Sequence, residues 1–175
     1  MQRAVFFDRD GIINKVEIVE REDRSVGPVG PRSFDEFRIF PDRKGILSKL
    51  KAREFLIIII TNQPDIARGL LKPSELAKMH DLVKSTLPVD DIYFCPHDDA
   101  DLCECRKPKP GMLIQAAQKW NIDLKQSFFV GDQWKDMEAG GKAGCKTILL
   151  DYPYNREFLS DFRVDRLEQI LDLIS

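Results

Sequence analysis

The sequence lacks any long hydrophobic run. The longest, Phe55 to Ile60, falls far short of the ~20 apolar residues that a membrane-spanning helix needs. A membrane partner is therefore not expected. A secretory pattern is also missing, because acidic Asp8 and Asp10 follow only four apolar residues, Ala4 to Phe7. A cytoplasmic protein is expected. There is no surplus of one charge: a net charge of −2 gives no footprint for nucleic acid or an anionic surface. No internal repeat, low-complexity tract or heptad pattern is present, and a monomer is expected. Cysteine is sparse, with four residues: Cys95, Cys103, Cys105 and Cys145. In a cytosolic chain, clustered cysteines more often bind metal than form disulfides. Cys145 stands apart, ahead of Ile148-Leu149-Leu150, and reads as a small buried thiol.

What is present suits one domain spanning residues 1–175, since a chain of this length buries roughly 70% of its unfolded surface. Short β-rich runs alternate with helical patterns. Strands are predicted at 4–7, 55–60, 91–94, 127–130 and 146–150. Helices are predicted at 45–52, 74–87, 112–120, 134–142 and 164–174. Phe55 to Ile60 is apolar on both faces, as a central parallel strand should be. Pro73 suits the first turn of the helix that follows it. This alternation predicts an α/β fold, a doubly wound parallel sheet with helices on both faces. Ligands of such folds sit beyond the carboxyl ends of the strands. Asp8, Thr61-Asn62-Gln63, Cys95-Pro96-His97 and Gly131-Asp132 each follow a predicted strand directly. They should therefore meet at one edge of the sheet.

The strand Ala4 to Phe7 runs into Asp8-Arg9-Asp10-Gly11. Residues i and i+2 of an extended or tightly turning chain can face the same way, and Gly11 permits a sharp turn. Two carboxylates that close repel unless a cation joins them or one keeps a proton. A solvated acidic turn would carry the same letters. If Asp132 joins them, three carboxylates share one space, which calls for a hard cation such as Mg²⁺. Asp136 either supports that site or is a solvated helix residue. Thr61 can offer a hydroxyl and an N–H to an anion. Lys107, within Arg106-Lys107-Pro108-Lys109-Pro110-Gly111, can offer a point charge on a backbone restricted by proline. A cation, an amine and a hydroxyl around a carboxylate describe a phosphoryl-transfer site.

Asp8-Arg9-Asp10-Gly11, Thr61-Asn62-Gln63, Lys107 and Gly131-Asp132 with Asp136 resemble the four motifs of the haloacid dehalogenase (HAD) phosphatases, in the expected order. The resemblance implies the Rossmann-like HAD fold and a phosphomonoesterase that works through an aspartyl-phosphate. By the same resemblance Asp8 is the nucleophile, and Asp10 is the general acid and then the general base. Thr61 and Lys107 hold the transferring group. Mg²⁺ is held by Asp8, Asp132 and Asp10, the last through its backbone carbonyl. The segments between motifs leave no room for a sizeable cap domain.

Cys95-Pro96-His97 and Cys103-Glu104-Cys105 place a Cys₃His set within eleven positions, which suits structural Zn²⁺. A Cys103–Cys105 disulfide would close a very small ring with poor geometry. His97 could instead serve catalysis, but its Cys-x-His placement favours the metal. A zinc loop over about 95–106 would anchor Arg106 and Lys107. This loop, with Thr61-Asn62-Gln63 and Ala67-Arg68-Gly69, resembles the heptose bisphosphate phosphatases and the related histidinol-phosphate phosphatases. A sugar bisphosphate losing its C7 phosphate is the substrate this implies; histidinol phosphate or another small phosphomonoester is the alternative. A reading from another class is a non-catalytic, zinc-stabilised interaction module. Arg106, Asn62, Gln63 and Gln133 are the candidate substrate contacts. Three departures bear on specificity: Pro64-Asp65 in place of Ser-Gly, Gln133 in place of lysine, and a long stretch from Lys15 to Pro41. Its charge run, Glu20 to Arg24, reads as a solvated loop or as a grip for a second phosphate.

Overall fold

A computed structural model describes residues 1–20 and 26–174. In chain order the elements are β1 (Ala4–Phe7), β2 (Glu17–Glu20), β3 (Val26–Val29), α1 (Arg43–Ala52), β4 (Leu56–Asn62), α2 (Pro73–Thr86) and β5 (Asp91–Cys95). They continue with α3 (Gly111–Trp120), β6 (Phe128–Gly131), α4 (Trp134–Ala143), β7 (Lys146–Leu150), β8 (Phe162–Val164) and α5 (Ile170–Leu173). Six strands form one sheet in the order β5-β4-β1-β6-β7-β8. Every pair in it is parallel, with Phe6 in register with Ile58 on one side and Phe129 on the other.

Period-two alternation along these strands divides the core between the two faces. Val5, Phe7, Ile57, Ile59, Val130 and Ile148 pack with Leu47 of α1, Met79 of α2 and Ile170 of α5. Phe6, Ile58, Ile60 and Phe129 pack with Leu113 of α3 and Ala139 of α4. Both faces are covered, so the central strands are apolar throughout. From β1 the chain steps outward to β4 and β5, then returns to the other side for β6, β7 and β8. The strand order therefore reverses at β1, and the crevice for a ligand opens at the carboxyl ends of β1 and its neighbours.

Three expectations need correction. The helix expected at 164–174 is in fact β8, a 3₁₀ turn at Leu167–Gln169 and the short α5. The backbone N–H groups of Asp165 and Arg166 both donate to Gln169 Oε1, which starts a new element instead of continuing a helix. The stretch from Lys15 to Pro41 is not plain loop. It contains an antiparallel hairpin, β2 with β3, and a 3₁₀ turn at Phe34–Glu36. Most of the charge run from Glu20 to Arg24 lies outside the described residues. At the second strand, Thr61 and Asn62 belong to β4 itself, as its last two residues.

Candidate active site

Asp8 leaves β1 with its N–H donating to Val130 O of β6 at 2.9 Å, so the first carboxylate is held between the two central strands. Three residues on, Gly11 turns the chain with φ of +86°, and a Cβ there would lie 2.8 Å from Asp132 Oδ2. A side chain at position 11 would thus collide with the third carboxylate as well as strain the turn. Asp132 follows β6, and Asp136 lies in the first turn of α4. The carboxylates of Asp8, Asp132 and Asp136 offer oxygens within 4.8 Å of one another, all three residues buried.

Lys107 enters this group from the loop before α3. Its Nζ lies 2.7 Å from Asp8 Oδ1 and 2.6 Å from Asp136 Oδ1, and it donates to Ile60 O at 2.9 Å. Asn62 fixes the backbone there: its Oδ1 accepts from Lys107 N and its Nδ2 donates to Lys107 O, each at 3.0 Å. Burial alone would lower the lysine pKa, but the Asp136 and Asp8 charges outweigh it and hold the ammonium above its ordinary range. Burial, followed by the Asp136 charge, raises Asp8 well above the carboxylate norm against the pull of Lys107. The same two causes push Asp132 up to about 7, opposed by hydrogen bonds from Tyr154 and Gln133. One ammonium does not neutralise three buried carboxylates. The buried Asp132 Oδ1 has no hydrogen-bond partner. Hard oxygen ligands, excess negative charge and an unsatisfied oxygen fit a divalent cation such as Mg²⁺.

Asp10 sits apart from the carboxylate trio. Arg9 donates to it from NH2 at 2.9 and 3.0 Å and from Nε at 3.2 Å. Asn14 Nδ2 reaches Asp10 Oδ1 at 2.9 Å, and Gln63 Nε2 reaches Oδ2 at 2.8 Å. Gln63 Nε2 also donates to Thr61 Oγ1 at 2.9 Å, which joins Thr61 to Asp10. Asp8, Asp10, Thr61, Asn62, Gln63, Arg106, Lys107, Gln133 and Asp136 all line one cavity of about 430 Å³. Arg32, Arg68 and Lys135 line it too.

The Cys₃His set also converges. Single ligand atoms of Cys95, His97, Cys103 and Cys105 lie within 4.8 Å of one another, and all four cysteines of the chain are free thiols. Cys95 Sγ is 3.0 Å from Cys105 Sγ and 3.5 Å from Cys103 Sγ. Three thiols and an imidazole around one point fit Zn²⁺. The loop is tied to the cavity through Arg106, whose Nε donates to Asp99 Oδ1 at 2.6 Å and whose NH1 donates to His97 O at 3.2 Å.

A model of the HAD-hydrolase-like family matches residues 104–152. The D-glycero-α-D-manno-heptose-1,7-bisphosphate 7-phosphatase of Campylobacter jejuni is 36% identical over 97% of this chain and 94% of its own length. The chain belongs to the heptose-bisphosphate phosphatase family. The β-anomer enzyme of Pasteurella multocida is 35% identical over 86% of this chain and 82% of its own. The crystal structure of the D,D-heptose 1,7-bisphosphate phosphatase of B. bronchiseptica, complexed with magnesium and phosphate, superposes with a TM-score of 0.81 and 28% identity. It covers 98% of this chain and 97% of that one.

Within this heptose-bisphosphate phosphatase framework, some residues at the site are only partly legible in the sequence and others not at all. Asp136, expected either to support the site or to be a solvated helix residue, is 1% exposed and bonded to Lys107. Its signal is Gly131, where a Cβ would lie 2.4 Å from Asp136 Cβ. Arg9 is fully buried, an unusual place for a guanidinium, against Asp10, His80 and the Phe37 ring. Tyr154 and Asn155 reach Asp132 from the loop after β7. No motif marks them, because their partners lie more than twenty positions away.

Proposed function

We propose that this protein is a Mg²⁺-dependent phosphatase of small phosphorylated sugars, and that it removes the C7 phosphate of D-glycero-D-manno-heptose 1,7-bisphosphate. The observation that carries the reading is the buried Lys107 ammonium, 2.7 Å from Asp8 Oδ1 within a group of three carboxylates. Asp8 Oδ attacks phosphorus, and the bond from phosphorus to the sugar oxygen breaks. Asp10 gives that oxygen its proton. Water, deprotonated by Asp10, then attacks the aspartyl-phosphate and releases inorganic phosphate, restoring both carboxyl groups. Lys107 and Thr61 bind the transferring phosphoryl oxygens. Asp8, Asp132 and the Asp10 backbone carbonyl would hold Mg²⁺, which when bound neutralises charge on the nucleophile and the phosphoryl group. Arg106, Asn62, Gln63 and Gln133 face the rest of the substrate.

Cys95, His97, Cys103 and Cys105 hold a structural Zn²⁺ in this reading, fixing the loop that delivers Arg106 and Lys107. Residues 1–175 act as one domain and as a monomer in the cytoplasm. Among the described residues no helix is long and apolar enough to cross a membrane. Phosphate release is measured on both anomers of the heptose bisphosphate, on histidinol phosphate and on an aryl phosphate, with and without Mg²⁺. A heptose bisphosphate is expected to exceed the others in kcat/KM by at least about tenfold. A higher kcat/KM on histidinol phosphate would overturn the substrate. No Mg²⁺-dependent release from any of them would overturn the enzymatic reading in favour of a non-catalytic module.

A further inference from the structure

The loop between β7 and β8 supplies no group to the chemistry proposed above, yet it touches the carboxyl ends of the strands that build the site. Tyr152 Oη donates to Gly11 O at 2.8 Å, at the turn after β1. Asn155, fully buried, donates from Nδ2 to Asp132 O at 2.8 Å, just past β6, and to Leu150 O at 2.9 Å, the last residue of β7. The Tyr152 and Tyr154 rings stack with centroids 5.2 Å apart and planes 7° from parallel. Stacking removes rotational freedom from Tyr154 before it meets its partner. That partner is Asp132, whose Oδ2 accepts from Tyr154 Oη at 2.5 Å, within the range of a charge-assisted bond. Gln133 Nε2 gives the same oxygen a second, longer bond at 3.2 Å.

The two oxygens of Asp132 are therefore not equivalent. Oδ2 has two donors, while Oδ1 is buried with none. A freely turning carboxylate could bind a cation through either oxygen or both, and would spread its charge accordingly. We propose that Tyr154 is a positioning residue for the cation site: it holds Asp132 Oδ2 and so leaves Oδ1 as the one ligand oxygen. The proposal rests on the reading of Asp132 as a Mg²⁺ ligand. Groups that orient metal ligands from behind typically change metal affinity 10–100-fold when removed.

The test is calorimetric titration of the purified protein with Mg²⁺ and with Mn²⁺, without substrate, on the wild type and on Tyr154→Phe, Tyr152→Phe and Asp132→Asn. Tyr154→Phe keeps the ring and its stack and removes one hydroxyl. Its dissociation constant for both ions is expected to rise about tenfold or more, with the metal-free melting temperature held within a few degrees of wild type. Tyr152→Phe also loses a hydroxyl bond and keeps the stack, and its affinity is expected to stay within about twofold of wild type. Equal affinity in wild type and Tyr154→Phe, with binding lost in Asp132→Asn, would overturn the role of Tyr154 and leave the cation reading intact. Loss of affinity in both tyrosine variants alike would overturn it as well, since the loop would then act only by packing. Undiminished binding in Asp132→Asn would sink the cation reading and this inference together.

Discussion

Asp8 sits in a conflict of charges that the proposed chemistry would need. Burial and Asp136 raise its pKa, and Lys107 opposes them at 2.7 Å. Replacing it by asparagine removes a buried charge while keeping shape. Asp8→Asn is therefore expected to melt at or above the wild-type temperature in metal-free buffer, and to turn over at least about 10³-fold more slowly. Melting curves and phosphate release check both halves, and turnover near the wild-type rate would remove Asp8 from the nucleophile's role. A second charge conflict lies at His80, 9% exposed, with Arg9 NH1 3.4 Å from its Nε2. Burial first, then Arg9, lower its pKa to about 3, with Asp10 opposing and Lys84 assisting. In the unfolded chain the imidazole takes up a proton near pH 6.5 and the folded one does not. Between about pH 6.5 and 3 the unfolded state thus binds more protons, and stability falls as pH falls. His80→Gln should lose less stability than wild type from pH 6.5 to pH 4.5, by roughly 2 kcal/mol in urea unfolding. Parallel losses would refute the assignment. At this scale the sequence is legible where a motif closes a strand, as in Asp8 after β1 and Gly131-Asp132 after β6, but the i, i+2 spacing does not bring Asp10 into the carboxylate trio, whose third member is Asp136. It is silent on Arg9, His80 and Tyr154, whose letters usually mean surface or ordinary packing and whose partners, apart from Asp10 beside Arg9, are distant in the chain.

The element that matters most to the site is the loop from Cys95 to Gly111. It carries the Cys₃His cluster at one end and Lys107 at the other, with Arg106 bonded back to His97 O. Lys109 Nζ adds a bond to Cys103 O at 2.8 Å. Releasing the four ligands would free the backbone that aims the ammonium at Asp8. Zinc removal by chelation, followed by excess Mg²⁺, is expected to lower kcat/KM by about tenfold or more. Full activity in a sample shown by elemental analysis to be zinc-free would exclude this. The convergence of these four residues was readable because they are close in sequence. The C-terminal end was not. Leu167, Ile170, Leu171 and Ile174 are spaced as a helix face and are buried, so the pattern extends naturally back to Val164. Phe162–Val164 is a three-residue strand at the sheet edge, too short for alternation to show, and it pairs with β7 only through tertiary contact. The hairpin of β2 and β3 escaped for a related reason: all four residues of β2 are exposed, so no buried face imprints a period on the sequence.

At the scale of the molecule, the parallel sheet decides what meets what. Because every strand pair of the sheet is parallel, the strands' carboxyl ends lie on one edge, and this brings Asp8, Thr61, Lys107 and Asp132 together from positions up to 124 residues apart. That convergence followed from the alternation of strands and helices before any distance was known. What alternation does not reveal is the electrostatic imbalance of the finished edge: three buried carboxylates face one ammonium. The fold as a whole bears that repulsion, since unfolding would return each carboxylate to water. A divalent ion that binds only the folded edge must then stabilise the entire domain by mass action, by about 2.7 kcal/mol at a hundred times its dissociation constant. For a chain of this length that corresponds to a rise in melting temperature of about 5–10 °C. Mg²⁺ is expected to produce that rise in the wild type and to lose most of it in Asp132→Asn, with Na⁺ at matched ionic strength as the control. A rise of equal size with Na⁺, or in Asp132→Asn, would mean that the ion screens the surface in general, and the edge of the sheet would then be stable with its carboxylates unpaired.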